Sequence, residues 1–154
     1  MASRPRPLRP AAAWALGLAA GAALGACATA PDDTVRDLAT LSTLPDQGLE
    51  APDTVRAGVP FTVTGYGAGS GTVACNAPDG TTVTSSDTLV RIVAYMRYPT
   101  GQTMCTKDYR SYPFTVQVRL SRVGTATVRF VGAVTTYSRT PVPDSLVKRI
   151  VVRP

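Results

Sequence analysis

Residues 114–120 read Phe-Thr-Val-Gln-Val-Arg-Leu, and this stretch decides the fold class. Phe114, Val116, Val118 and Leu120 alternate with Thr115, Gln117 and Arg119. That period of two turns one face of an extended chain toward a core and the other toward water. Val123-Gly124 then reverses the chain, and Ala126, Val128 and Phe130 carry the inward face onto a returning strand. The same pattern recurs upstream in Pro60-Phe-Thr-Val-Thr-Gly65. Thr88 to Tyr98 forms a longer strand in which Val90, Ile92, Ala94 and Met96 share a face. Leu89, Val93 and Tyr95 on its other face predict cover on much of both sides. A last strand runs from about Leu146 to Val152, with Lys148 inside its pattern and Arg149 beside it, as suits a guarded edge.

Composition agrees with short strands joined by turns. Gly and Pro occur 13 times each, and Glu50 is the single glutamate, so strong helix formers are scarce. Asp79-Gly80 reads as a tight hairpin turn between Cys75 and Thr81–Thr84. Gly65-Tyr-Gly-Ala-Gly-Ser-Gly71 reads as a turn or bulge. A nucleotide-binding glycine loop would have to open a helix, whereas Thr72–Cys75 continues as strand. Seven or eight short strands with turn signals at this rhythm predict an all-β sandwich. From Asp53–Thr64 to the hairpin at Gly124, the layout resembles bacterial immunoglobulin-like domains of envelope proteins. That resemblance implies an immunoglobulin-like antiparallel β-sandwich over about residues 49–154, although Trp14 is the only tryptophan and lies outside it.

The first 26 residues carry a different message. Arg4, Arg6 and Arg9 precede an apolar run from Ala11 to Leu24, followed by small residues, the layout of an export signal. The run is shorter than the ~20 residues of a membrane span. Leu24-Gly25-Ala26-Cys27 resembles the lipobox of bacterial lipoproteins. The resemblance implies cleavage before Cys27, a diacylglycerol on its sulfur and fatty acylation such as palmitate on its amino group. With ~0.8 kcal/mol for each buried methylene, two or three acyl chains hold a protein on a membrane. Ala28 in place of Asp implies the outer membrane where the source has two membranes. The expected address is the cell envelope. An ordinary secretory signal cut after Ala28 or Ala30 is the alternative. Residues 27–48, acidic and Thr-rich with Pro31 and Pro45, read as a lipidated N-terminus and flexible linker, with a short helix from Asp33 as the other reading.

Removing the signal takes three arginines with it and lowers the formal charge from +6 to about +3. The remainder is uneven. Residues 91–154 carry eleven Lys and Arg against Asp108 and Asp144, whereas residues 27–90 carry Arg36 and Arg56 against eight acids. A basic half favours anionic partners such as acidic glycans or lipid headgroups; arginines on solvated strand faces are the plainer reading.

Export also bears on the cysteines. Once Cys27 is lipidated, Cys75 and Cys105 remain, and an even pair in an oxidising compartment is most simply a disulfide. Closing a loop of about 30 residues contributes roughly 3–4 kcal/mol.

The chain contains no histidine, so triads and zinc sites that need one are excluded within it. No nucleophile–base pair, calcium loop or other metal set has supporting spacing, and no catalytic residue, metal or cofactor is assigned. One constellation suggests binding: Arg97, Tyr98, Lys107, Tyr109, Arg110 and Tyr112, with Tyr95, around Cys105. Aromatic faces beside guanidinium groups stack on sugars or hold anionic polymers. The alternative is that the tyrosines cap the sandwich. The sequence therefore predicts a non-enzymatic binding or assembly module held on a membrane by its lipid. Its partner would be an envelope protein or an anionic glycan, with no nucleic acid expected. A structural spacer, or an envelope enzyme or inhibitor working through loops, are the competing readings.

Overall fold

The computed structural model describes residues 34–70, 75–101, 108–135 and 141–154. The alternation at Phe114–Leu120 becomes the end of β6 (Tyr109–Val118), with Phe114, Val118 and Leu120 buried and Val116 packed against the same core. β6 pairs antiparallel with β3 (Phe61–Ser70), so that Phe61 lies opposite Val118 and Gly65 opposite Phe114. The larger sheet holds six strands: β1 (Thr34–Leu38), β2 (Thr54–Arg56), β4 (Ala77–Ser85), β5 (Leu89–Pro99), β7 (Gly124–Thr135) and β8 (Pro141–Arg153). Val90, Ile92, Ala94 and Met96 do share one buried face of β5. They meet Val128, Phe130 and Ile150 in one core that also takes Phe61, Val63 and Phe114 from the two-stranded sheet. The expected all-β sandwich is the fold.

The glycine-rich stretch is strand and not turn, because β3 continues through it to Ser70. Alternation puts Gly65, Gly67 and Gly69 on the inward face. A Cβ at Gly65 would lie 2.5 Å from the Phe130 ring, and one at Gly67 would lie 2.8 Å from the Phe114 ring. The missing side chains make room for two aromatics, whose ring centroids sit 6.2 Å apart at 49°. Glycine in a strand commonly marks such close approach.

Two pairings depart from an all-antiparallel layout. β5 runs parallel to β7, and β2 runs parallel to β8. The chain leaves β5 for the opposite sheet, runs through β6 and returns as β7, so β5 and β7 point the same way. β8 is therefore an edge for only part of its length, since β2 covers Val151–Arg153. Lys148 points inward where the edge is open. Its ammonium donates to the Ala51 carbonyl at 2.6 Å and pairs with Asp53 at 2.9 Å, an inward-facing charge that discourages edge-to-edge association. Asp79-Gly80 is likewise no hairpin turn. It forms a one-residue bulge within β4, between Pro78 opposite Met96 and Thr81 opposite Ala94, with Gly80 at φ +85°.

Residues 34–48, the described part of the expected linker, belong to the sandwich. β1 pairs with β5, and Ala39 and Leu41 are buried, a spacing of two that suits strand rather than helix. Ala39 and Leu41 bond to Ala94 and Ala133 of the six-stranded sheet, at 2.7–2.9 Å. Thr40 and Ser42 bond to Ala68 and Tyr66 of β3, at 2.6 and 3.0 Å. Further on, Glu50 and Thr64 exchange two backbone bonds, and the Tyr66 hydroxyl donates to the Glu50 carboxylate at 2.9 Å. That acceptor raises the Tyr66 pKa above its ordinary value.

Gly65→Ala is expected to destabilise the fold by ~1–3 kcal/mol through overpacking against Phe130, seen as a lower denaturant midpoint. Phe130→Leu should partly relieve it in the double variant. Additive losses would show that the two residues do not share one space.

Candidate anion-binding face

The residues expected to form one binding surface are divided by the sandwich. Arg97 lies on the outer face of the six-stranded sheet, and Tyr98, its neighbour, turns inward. The Tyr98 hydroxyl donates to the Leu38 carbonyl at 3.1 Å and accepts from the Thr40 amide at 3.3 Å. Tyr112 packs against the core, and its hydroxyl donates to the Asn76 carbonyl at 3.4 Å. Tyr109 is half exposed, yet its hydroxyl meets the Ser42 hydroxyl at 2.7 Å. Arg110 pairs with Asp108 two residues away, at 3.1 Å. Lys107 and Cys105 lie outside the described residues. Tyr98 and Tyr112 thus help cap the core, and 109–112 are strand rather than loop.

A different set comes together on the outer face of the six-stranded sheet. Register places Arg36 opposite Arg97 across β1 and β5, Arg91 opposite Arg129 across β5 and β7, and Arg56 opposite Arg153 across β2 and β8. All six side chains point away from the core, because their neighbours Val90, Ile92, Met96, Val128, Phe130, Val55 and Val152 point into it. Like charges directly opposite one another on a sheet repel. In the first pair the chain supplies the remedy. The Asp79 carboxylate, carried by the β4 bulge, accepts from Arg36 and from Arg97 at 3.0 Å each, and Arg36 also stacks 3.9 Å above the Tyr95 ring.

The other two pairs have no such carboxylate. Neither Arg91 nor Arg129, nor Arg56 or Arg153, is ion-paired among the described residues. Arg91 and Arg129 line a shallow depression of about 250 Å³ with Val131, Pro143, Asp144 and Ser145. The Asp144 carboxylate at its rim accepts from the Ser145 amide at 2.7 Å. Arg129 faces Val147 on β8, and Arg149 follows two residues on, so it lies on the diagonal toward Arg153. Val147 to Arg153 spans roughly 20 Å at ~3.3 Å per residue. Exposed Val147 and Val151 alternate with the guanidinium groups along that track.

Paired guanidinium groups are donors for carboxylates and phosphates, and their planar forks bind such groups with two bonds at a time. Arg36–Asp79–Arg97 displays this geometry within the fold and serves as a template for an anion seated between Arg91 and Arg129. The basic excess of residues 91–154 was the only sequence signal for this face. Which arginines oppose one another depends on the parallel registers, which no local pattern encodes. Comparison with known proteins finds no family model that matches the chain, no similar curated protein and no similar solved structure.

Proposed function

We propose that this protein is a lipid-anchored, non-catalytic binding module of the cell envelope that holds an anionic envelope glycan on the arginine face of its larger sheet. The observation that carries the reading is the pair of opposed arginine couples, Arg91–Arg129 and Arg56–Arg153, which make no ion pair among the described residues on a face where Asp79 neutralises the third. An acidic polymer running along β8 would give each couple an anion and would relieve their mutual repulsion. A pure spacer domain has no use for that arrangement. The eight-stranded sandwich suits the immunoglobulin-like class of envelope domains, with its two parallel pairs as this chain's own variation.

The anchor rests on Leu24-Gly25-Ala26-Cys27. With Cys27 acylated, Cys105 is the remaining candidate to pair with Cys75, which is 4% exposed. The bridge would join the segment before β4 to the segment before β6, a fastening suited to an oxidising compartment.

Three outcomes are expected. Cys27→Ala should move the protein from the membrane fraction to the soluble fraction; unchanged membrane retention would sink the anchor. Intact mass of the purified native protein, alkylated without reductant, should show no modified thiol, and two alkylated cysteines would remove the bridge. Arg91→Ala with Arg129→Ala should weaken retention on immobilised polygalacturonate about tenfold at low salt, from two exposed charge contacts of ~0.5–1 kcal/mol each. Asp79→Asn, which frees the third couple, should strengthen it, and added salt should weaken all forms. Equal retention of every variant would refute the face.

A further inference from the structure

Strand directions put several chain termini together. Thr34 of β1 is registered with Pro99, the last residue of β5. β3 ends at Ser70 and β7 at Thr135, and β4, β6 and β8 begin at Ala77, Tyr109 and Pro141, all at this same end. The opposite end carries Arg56 to Phe61, Ser85 to Leu89 and Val118 to Gly124. Whatever tethers the chain at Cys27 therefore attaches at one defined end of the sandwich.

The leash is short. Six residues separate Cys27 from Thr34, and the seven steps between their Cα atoms reach at most ~25 Å even when fully extended. β5 alone has eleven residues, about 36 Å of strand. If the far end touched the bilayer, Thr34 would stand farther from the surface than its own leash allows. The remaining orientations are an upright sandwich with the Thr34 end down and a sandwich lying on one side.

The chemistry of the Thr34 end favours the upright one. Val35, Leu38, Tyr98 and Pro141, with Asp37, Thr40 and Thr135, line a groove of about 240 Å³ beside the start of β1. Val35 and Val142 are each about half exposed there (49% and 46%), as is Tyr109 (49%). Arg36, Arg97 and Arg110 lie on the strand segments around them. Small exposed apolar side chains and a tyrosine, beside guanidinium groups already paired with Asp79 and Asp108, match the boundary between headgroups and acyl chains, where aromatic rings settle.

We propose that the Thr34 end of the sandwich rests against the anionic phospholipid surface that holds the anchor, with Val35, Val142 and Tyr109 at the interface. The inference rests on the lipidation of Cys27. It stands the arginine face upright, along the membrane normal, so that the Arg56–Arg153 couple is carried farthest from the bilayer.

The mature chain has no tryptophan, which makes a single introduced indole an unambiguous probe. Lipidated Val142→Trp and Val123→Trp proteins, at opposite ends and similarly exposed (46% and 53%), would be reconstituted into phosphatidylethanolamine–phosphatidylglycerol vesicles with brominated acyl chains. Val35→Trp and Val59→Trp form a second such couple should either of the first fail to fold. Quenching several-fold stronger for Val142→Trp than for Val123→Trp is expected. Comparable quenching at both ends would mean that the sandwich lies flat, and absent or reversed quenching in vesicle-bound protein would also overturn the proposal. Vesicle flotation separates the two readings. If the unsubstituted protein fails to float, the anchor itself is refuted and the orientation falls with it.

Discussion

The fold depends on four residues, Ala39 to Ser42, that belong to both sheets. Ala39 and Leu41 give their backbone bonds to the six-stranded sheet, and Thr40 and Ser42 give theirs to β3. A two-stranded sheet is marginal in water. The bridge of Leu41 to Gly67 and the exchange between Glu50 and Thr64 give β3 a partial second neighbour and tie it to the rest. Gly132 makes the crossing feasible. A Cβ there would run into the Ala39 carbonyl and would approach the Leu41 side chain within 2.6 Å. The Tyr98 hydroxyl, bonded at Leu38 and Thr40, secures the turn between sheets from below. Its phenol is committed to that architecture.

Once the sheets are joined, register governs the electrostatics. The outer face of the larger sheet places three arginine couples in direct opposition, an arrangement that opposes folding unless an anion intervenes. The β4 bulge moves Asp79 between one couple, so a local irregularity in a strand does the work of a neutralising ligand. In the proposed reading, the two uncompensated couples would trade stability for affinity, a common property of binding surfaces. Exposed pairs of this kind contribute little individually, so the face would act through several weak contacts along a polymer. With Cys27 lipidated as proposed, the short leash would hold that face near a polymer at the same surface, which favours repeated rebinding.

Several elements were legible because their signals are local. Strict alternation at Phe114–Leu120, Ala126–Phe130 and Val90–Met96 identified strands and their buried faces, since side-chain direction in a strand depends only on parity. Lys148 was legible as an edge device for the same reason. The misreadings share a cause as well. Gly65–Gly71 carries the composition of a turn, and only the aromatic rings of Phe114 and Phe130, remote in sequence, explain glycine in a strand. Asp79-Gly80 has the chemistry of a hairpin, but its pairing with β5 on both sides makes it a bulge. Residues 34–48 look polar and loose, yet Ala39 and Leu41 find cover between sheets that the local sequence does not announce.

The sequence by itself determined that the chain is all-β, which residues of its clearest strands face inward, and where the basic charge is concentrated. These follow from periodicity, composition and short motifs, all of which act within a few residues. The tertiary structure alone decided that β5 and β7 run parallel, that the chain before Glu50 stitches two sheets, and that arginines distant in sequence stand side by side. Those are consequences of how strands cross from sheet to sheet and of the register they adopt on arrival. Register is set by packing over the whole core, where Phe130 fits over Gly65, and no single segment contains that information.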